Sequence, residues 1–212
     1  MKKRICLYCV GIVIMSLGLS LNVKSYMGVA PILTIPRVVS EIFQWEFSNV
    51  LFMFYGLFIL LQFFLKQKLF RPFDLIQFPI GLGITRLVAI FTLLIPTSET
   101  TILPYKCIIL VLAIVTTGIG VALTVDMKIA PNPADGLAAA VGERFGIELG
   151  MGKNIVDISS VIIAFIISML HSRNLGPIGI GTVAAGLLVG RVIAIFNKKY
   201  RRKLEAAVGI KN

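Results

Sequence analysis

Charge is scarce in this chain. Only 15% of its 212 residues are Asp, Glu, Lys or Arg, against 57% hydrophobic, and the mean hydropathy is +0.92. A water-soluble domain carries roughly 25% charged residues, so that class is excluded. Histidine occurs once, as His171, and cysteine three times, as Cys6, Cys9 and Cys107. Cys6 and Cys9 form a lone C-x-x-C without a second pair, which argues for small packing residues and against a His/Cys metal cage. There is no G-x-x-x-x-G-K-[ST], no H-E-x-x-H and no ordered Ser/His/Asp set. The sequence therefore predicts no enzyme, no cofactor and no metal.

Apolar length is what the chain has in plenty. Six runs of about 18 or more nearly uncharged residues are each long enough to cross a bilayer. They fall at roughly 5–23, 47–65, 75–95, 105–125, 154–170 and 177–196. They use over half the chain, which predicts one all-α membrane domain over residues 1–212 with short loops and the lipid bilayer as its first partner. The opening MKKRICLYCVGIVIMSLGLSL has the basic start and apolar core of a signal peptide but no A-x-A-like site close behind it, and reads as a retained helix.

The net charge of +11 is unevenly spread. Lys2, Lys3 and Arg4 precede the first run; Lys66, Lys68 and Arg71 follow the second; Lys128, Arg144 and Lys153 lie between the fourth and fifth; Lys198, Lys199, Arg201, Arg202 and Lys203 follow the sixth. The alternate connections hold little beyond Lys24, Arg37 and Arg173. This positive-inside bias predicts cytoplasmic N and C termini, with a basic tail over 198–212 against anionic headgroups. Nucleic acid is not a predicted partner.

The chain also matches itself. At an offset of 100, Gly18, Met27, Ala30 and Pro31 meet Gly118, Met127, Ala130 and Pro131. At 105, Pro72, Gly81 and Arg86 meet Pro177, Gly186 and Arg191, and RLVAIF (86–91) meets RVIAIF (191–196). Phe43 pairs with Phe145 between the two offsets. The reading is two three-helix repeats, about 5–95 and 105–197. Three crossings per repeat is an odd number, so the second is inverted relative to the first.

Each repeat carries a proline-interrupted segment, GVAPILTIPRVVSEIFQW (28–45) and KIAPNPADGLAAAVGERFGI (128–147). Pro36, with Thr34 or Ile35 just outside it, and Pro133, with Asn132 as N-cap, suit the first turns of short helices. Non-helical backbone at membrane depth is tolerated only where protein or a water-filled cavity surrounds it. Two half-helix amino ends meeting there would offer N–H groups and partial positive charge. The competing reading is a pair of interfacial connecting helices. Asn132-Pro133-Ala134 matches the aquaporin triplet, but the other copy has Ile32-Leu33-Thr34, and each interruption follows the first helix of its copy where aquaporins place it after the second.

Candidate solute-binding residues are thus Pro31, Thr34, Pro36, Asn132, Pro133 and Asp135, together with Arg86, a guanidinium inside the third run whose burial in hydrocarbon would cost roughly 2.5–3.5 kcal/mol. Secondary candidates are Asp157, one turn after Lys153, Asn154 beside them, and Arg191, which can also snorkel to the surface. Asp135 has a plain alternative role, stabilising a helix start. Gly176, Gly179, Gly181, Gly186 and Gly190 give the last run a small-residue face suited to internal packing or to a homodimer seam.

GVAPILTIPRVVS (28–40), APNPADGLAAAVGERFGI (130–147) and GPIGIGTVAAGLLVGRVI (176–193) resemble segments of the YitT/YczE-like family of small bacterial integral membrane proteins. The likeness covers nearly the whole chain. It implies a bacterial cell (inner) membrane protein and carries no established site residues. The expected function is a small transporter or facilitator for a small, anionic solute bound between the repeats. The alternatives are a substrate-binding membrane component of an ATP-driven uptake system and a non-transporting regulatory or scaffold protein.

Overall fold

The computed structural model describes residues 2–96, 102–171 and 177–209, apart from the side chain of Lys68. Arg173 and Gly176 lie outside the described residues. Among the described residues there is no strand. The helices are α1 (Lys2–Lys24), α2 (Thr34–Phe43), α3 (Phe47–Lys66), α4 (Gln77–Leu94), α5 (Leu103–Asp126), α6 (Pro133–Phe145), α7 (Leu149–His171) and α8 (Ile180–Val208). All but α2 and α6 belong to segments long and apolar enough to cross a membrane, six in number. By helix length and composition the chain is an all-helical, multi-pass membrane protein.

Most boundaries fall close to the apolar runs, and two differ for physical reasons. α7 starts at Leu149, ahead of the expected 154, because Gly150, Lys153 and Asn154 interrupt hydropathy without interrupting the helix. α8 runs to Val208, so most of the basic tail continues a helix. Glu205 on that extension is 4% exposed, 3.1 Å from Arg201 and 3.9 Å from Lys128.

The central seam joins α1 to α5. They run antiparallel: β-carbons built on Gly11, Gly18 and Gly120 would meet Thr124, Thr117 and Met15 respectively. A β-carbon on Gly18 would lie 2.5 Å from the Thr117 backbone nitrogen, so the two backbones touch in the manner of small-residue membrane packing. Around this pair the contacts come in twos. α1 packs on α4 and α5 on α8; α2 packs on α3 and α7, and α6 on α7 and α3.

Both proline segments turn inward. The chain leaving α5 passes the start of α1, where Tyr8 donates to the Ala130 carbonyl at 2.9 Å and Arg4 donates to the Met127 and Lys128 carbonyls. It then reaches Met15, whose sulfur lies 3.7 Å from the Asn132 amide nitrogen. Seven residues of α1 separate Tyr8 from Met15, about 10 Å at 1.5 Å per residue. α6 then leads away from that depth. The other segment leaves from the opposite end of α1, where Asn22 accepts from Ala30 N–H, and its tip shares a cavity wall with Met15 and Leu19. The two proline segments thus reach the middle of α1 from its opposite ends.

Candidate functional site

α6 begins as its sequence requires. Asn132 has extended backbone, and its side-chain oxygen accepts from the N–H groups of Ala134 at 2.9 Å and Asp135 at 3.0 Å. Pro133 occupies the first helical position, where its missing N–H costs nothing. Gly146 closes the helix at φ +65°. α2 starts differently. A 3-10 turn spans Pro31–Leu33, the α-helix begins at Thr34, and Pro36 is its third residue. The helix therefore opens before Pro36, and Thr34 lies inside it. Thr34 donates to the Pro31 carbonyl at 2.6 Å.

The two tips border one cavity of about 230 Å³. Ala30 to Leu33 form one side, and Asn132, Ala134 and Asp135 another. α7 contributes Lys153, Asn154 and Asp157, and α8 contributes Gly186, Val189 and Gly190. Lys153 Nζ stands 3.9 Å from Asp135 Oδ1 and 3.4 Å from Asp157 Oδ2. The triad carries two carboxylates and one ammonium, a formal charge of minus one. Asn132 Nδ2 donates to the other oxygen of Asp135, so the N-cap orients the carboxylate. Tyr55 of α3 also lines the cavity while only 3% exposed.

The sequence candidates separate into three groups. Pro31, Asn132, Asp135, Asn154 and Asp157 come together on the cavity wall. Thr34, Pro36 and Pro133 are fully buried behind it and hold the tips in shape. Arg86 and Arg191 stand apart. The Arg86 guanidinium donates to Asn49 Oδ1 at 2.9 Å, bridging α4 to α3 on an exposed face, and Arg191 is exposed beside the cavity-lining Gly190.

This placement bears on the charge the cavity wall presents. No arginine lines the cavity. The amino end of α6 is already satisfied: Ala134 and Asp135 N–H bond the Asn132 side chain, and Gly136 N–H bonds the Asn132 carbonyl at 2.8 Å. Prolines at 31, 36 and 133 remove three further donors. Carboxylates outnumber the single lysine, so the polar wall suits a cation or a hydrogen-bond donor.

Sequence reading missed the support under α6. Gln62 and Gln77, both essentially unexposed, exchange amide hydrogen bonds at 3.0 and 2.9 Å, and Gln62 also donates to the Pro133 carbonyl at 3.2 Å. A β-carbon on Gly136 would lie 2.5 Å from the Gln77 side-chain oxygen, so that glycine lets the helix sit on the amide pair. Two glutamines at the ends of apolar runs were the available signal, since an unpaired amide there is expensive. The glycines of the closing helices take the opposite tips. A β-carbon on Gly81 would lie 3.3 Å from Pro133 Cγ, and one on Gly186 3.2 Å from Pro31 Cγ.

Among the described residues, no group of three or more His, Cys, Asp or Glu side chains is placed to hold a metal ion. No curated protein and no solved structure matches the chain significantly. A sequence profile covering residues 2–198 does match, and by that match the chain belongs to the family of unknown function DUF6198.

Proposed function

We propose that this protein is a small transporter or facilitator in the bacterial inner membrane, with cytoplasmic N and C termini, that binds a small solute where two inverted repeats meet. The observation that carries the reading is the cavity itself. Two proline-broken tips approach from opposite ends of α1 and border one cavity whose largely apolar wall carries Lys153 with Asp135 and Asp157. Broken helices in corresponding positions of two halves are the arrangement by which secondary transporters build midplane sites. The reciprocal packing of Gly81 on Pro133 and Gly186 on Pro31 supports the repeat. The positive-inside charge pattern supports the orientation, and the resemblance to YitT/YczE-like proteins supports the membrane.

Asp135 and Asp157 are the residues to contact the solute, with Lys153 holding their charge in check and Tyr55 and Asn154 supplying hydrogen bonds. The test is flux through the purified chain in proteoliposomes, read as solute-driven current and uptake across a panel of small organic cations, amines and neutral polar solutes. Protein-dependent flux of at least one solute is expected. Asp135→Asn should reduce that flux tenfold or more while the protein stays monodisperse. Flux no greater than through empty liposomes across the whole panel sinks the reading, and co-purification of an ATPase would assign the site to an ATP-driven system.

A further inference from the structure

The cavity between the tips continues into a second space. A cleft of about 440 Å³ lies between α7 and α8 and shares Pro31, Asn154, Asp157 and Gly186 with it. Beyond those shared residues the cleft is lined by Ile158, Ile162, Val183 and Leu187, all exposed on the outer face of the six-helix body, and by a few further side chains. α7 and α8 scarcely touch along this length, whereas α3 and α4 pack closely. In a membrane protein the space outside such residues is hydrocarbon. The combined volume thus runs from a lipid-facing, apolar mouth to a charged inner end.

From this geometry we infer that the site takes an amphiphilic organic cation, admitted sideways from the bilayer between α7 and α8, with its head between Asp135, Asp157 and Tyr55 and its tail in the cleft. The inference rests on the proposed function only for the notion that the cavity is a solute site; binding alone tests it. Three independent features select this ligand. The inner end has one carboxylate more than it has cations. The nearly unexposed Tyr55 lines the inner end and brings there an aromatic ring, a group that attracts ammonium. The outer end offers apolar side chains to an alkyl chain, whose burial contributes in proportion to its length. A phospholipid tail filling the cleft is the competing occupant, and it would bring a phosphate toward two carboxylates.

The experiment is equilibrium binding to the full chain in lipid nanodiscs, with empty nanodiscs subtracted, using tetramethylammonium, octyltrimethylammonium and octyl sulfate. Octyltrimethylammonium should bind saturably, at least tenfold tighter than either of the others. Asp157→Asn should weaken it tenfold or more, with Asp157→Glu retaining most of the affinity. Val183→Trp, which fills the cleft, should remove the advantage of the octyl chain and leave tetramethylammonium unchanged. Octyl sulfate binding as tightly as the ammonium means a lipid groove only and overturns the proposal. So does the absence of saturable ammonium binding, or an octyl advantage that survives Val183→Trp. Should Asp157→Asn fail to fold, the ammonium–sulfate comparison on the unaltered chain decides. Ammonium binding without flux would fail the transporter reading alone, and flux of another solute without ammonium binding would fail this one alone.

Discussion

Between α3 and α4 the seam is filled by aromatic rings. Phe52 and Phe78 meet with centroids 5.0 Å apart, and Tyr55 lies 3.1 Å from where a β-carbon on Gly81 would be. The second half has other residues at the matching places. At the offset of 102 that pairs Phe43 with Phe145, Phe52 falls on Asn154 and Tyr55 on Asp157; at 105, Phe78 falls on Val183. Three bulky rings thus correspond to an amide, a carboxylate and a valine, and there the helices part. One half closes its seam, while the other leaves a cleft with charge at its base. Residues of one backbone plan can take opposite roles when only side-chain volume and polarity differ, because packing at native density leaves no slack between filled and empty.

The strongest challenge to the comparison is at the matched glycines of the central helices. Gly18→Leu should abolish recovery of monodisperse protein, since its β-carbon meets the backbone of α5. Gly118→Leu meets Cγ1 and Cβ of Val192 at 2.6 and 2.7 Å, with the nearest backbone atom of α8 at 3.3 Å, so α8 must shift away from α5; this should lower thermal stability without preventing folding. Size-exclusion profiles of the two variants give the answer, and equal behaviour would mean the halves are not distinguished at their centre. Next in size is an attempt to give the second half the seam of the first. Asn154→Phe combined with Val183→Phe should fold, close the cleft, and reduce binding of octyltrimethylammonium tenfold or more by dialysis. Retained binding would show that the cleft is not the route.

A smaller effect is expected beneath α6. Gln62→Leu leaves the Gln77 amide and the Pro133 carbonyl without their partner, a loss of roughly 1–3 kcal/mol read as a lowered thermal midpoint in detergent. The position at the 102 offset is Ala164, fully buried and apolar, so α2 has no matching support to lose. Smallest is Arg86→Gln. Its bond to Asn49 lies away from the cavity, and flux measured in proteoliposomes should be unchanged. A large loss of flux would return Arg86 to the site.

Much of this architecture is legible in the residues. Hydropathy marks the long helices because lipid demands it along their whole length. Asn132 and Pro133 mark the start of α6 because capping chemistry is local. The meeting of the proline tips is foreseeable from the repeat, since matched interruptions imply a shared place. What stays hidden is orientation. The sequence puts Arg86 in a run as apolar as any other, and only the packing of α4 on α3 decides that it faces outward to Asn49. Tyr55 and the glutamine pair are equally silent, for no spacing rule tells a core phenol from one at a cavity edge. The donors available at the start of α6 are hidden for a related reason. A helix start looks electropositive in sequence, and its own cap and prolines use up the donors on folding.

The first proline segment is held from far along the chain. Val29 donates its N–H to the Pro177 carbonyl at 3.0 Å, and Gly181 donates to the Met27 carbonyl at 2.7 Å. Gly28 between them sits at φ +100°, where a β-carbon would strike Gly179. During synthesis, then, the loop after the opening helix emerges well before the residues that satisfy its peptide groups exist. Bare peptide groups are not stable in hydrocarbon. The loop therefore reaches its final pairing only after the start of α8 has been made, so α8 closes the protein around a segment translated long before it.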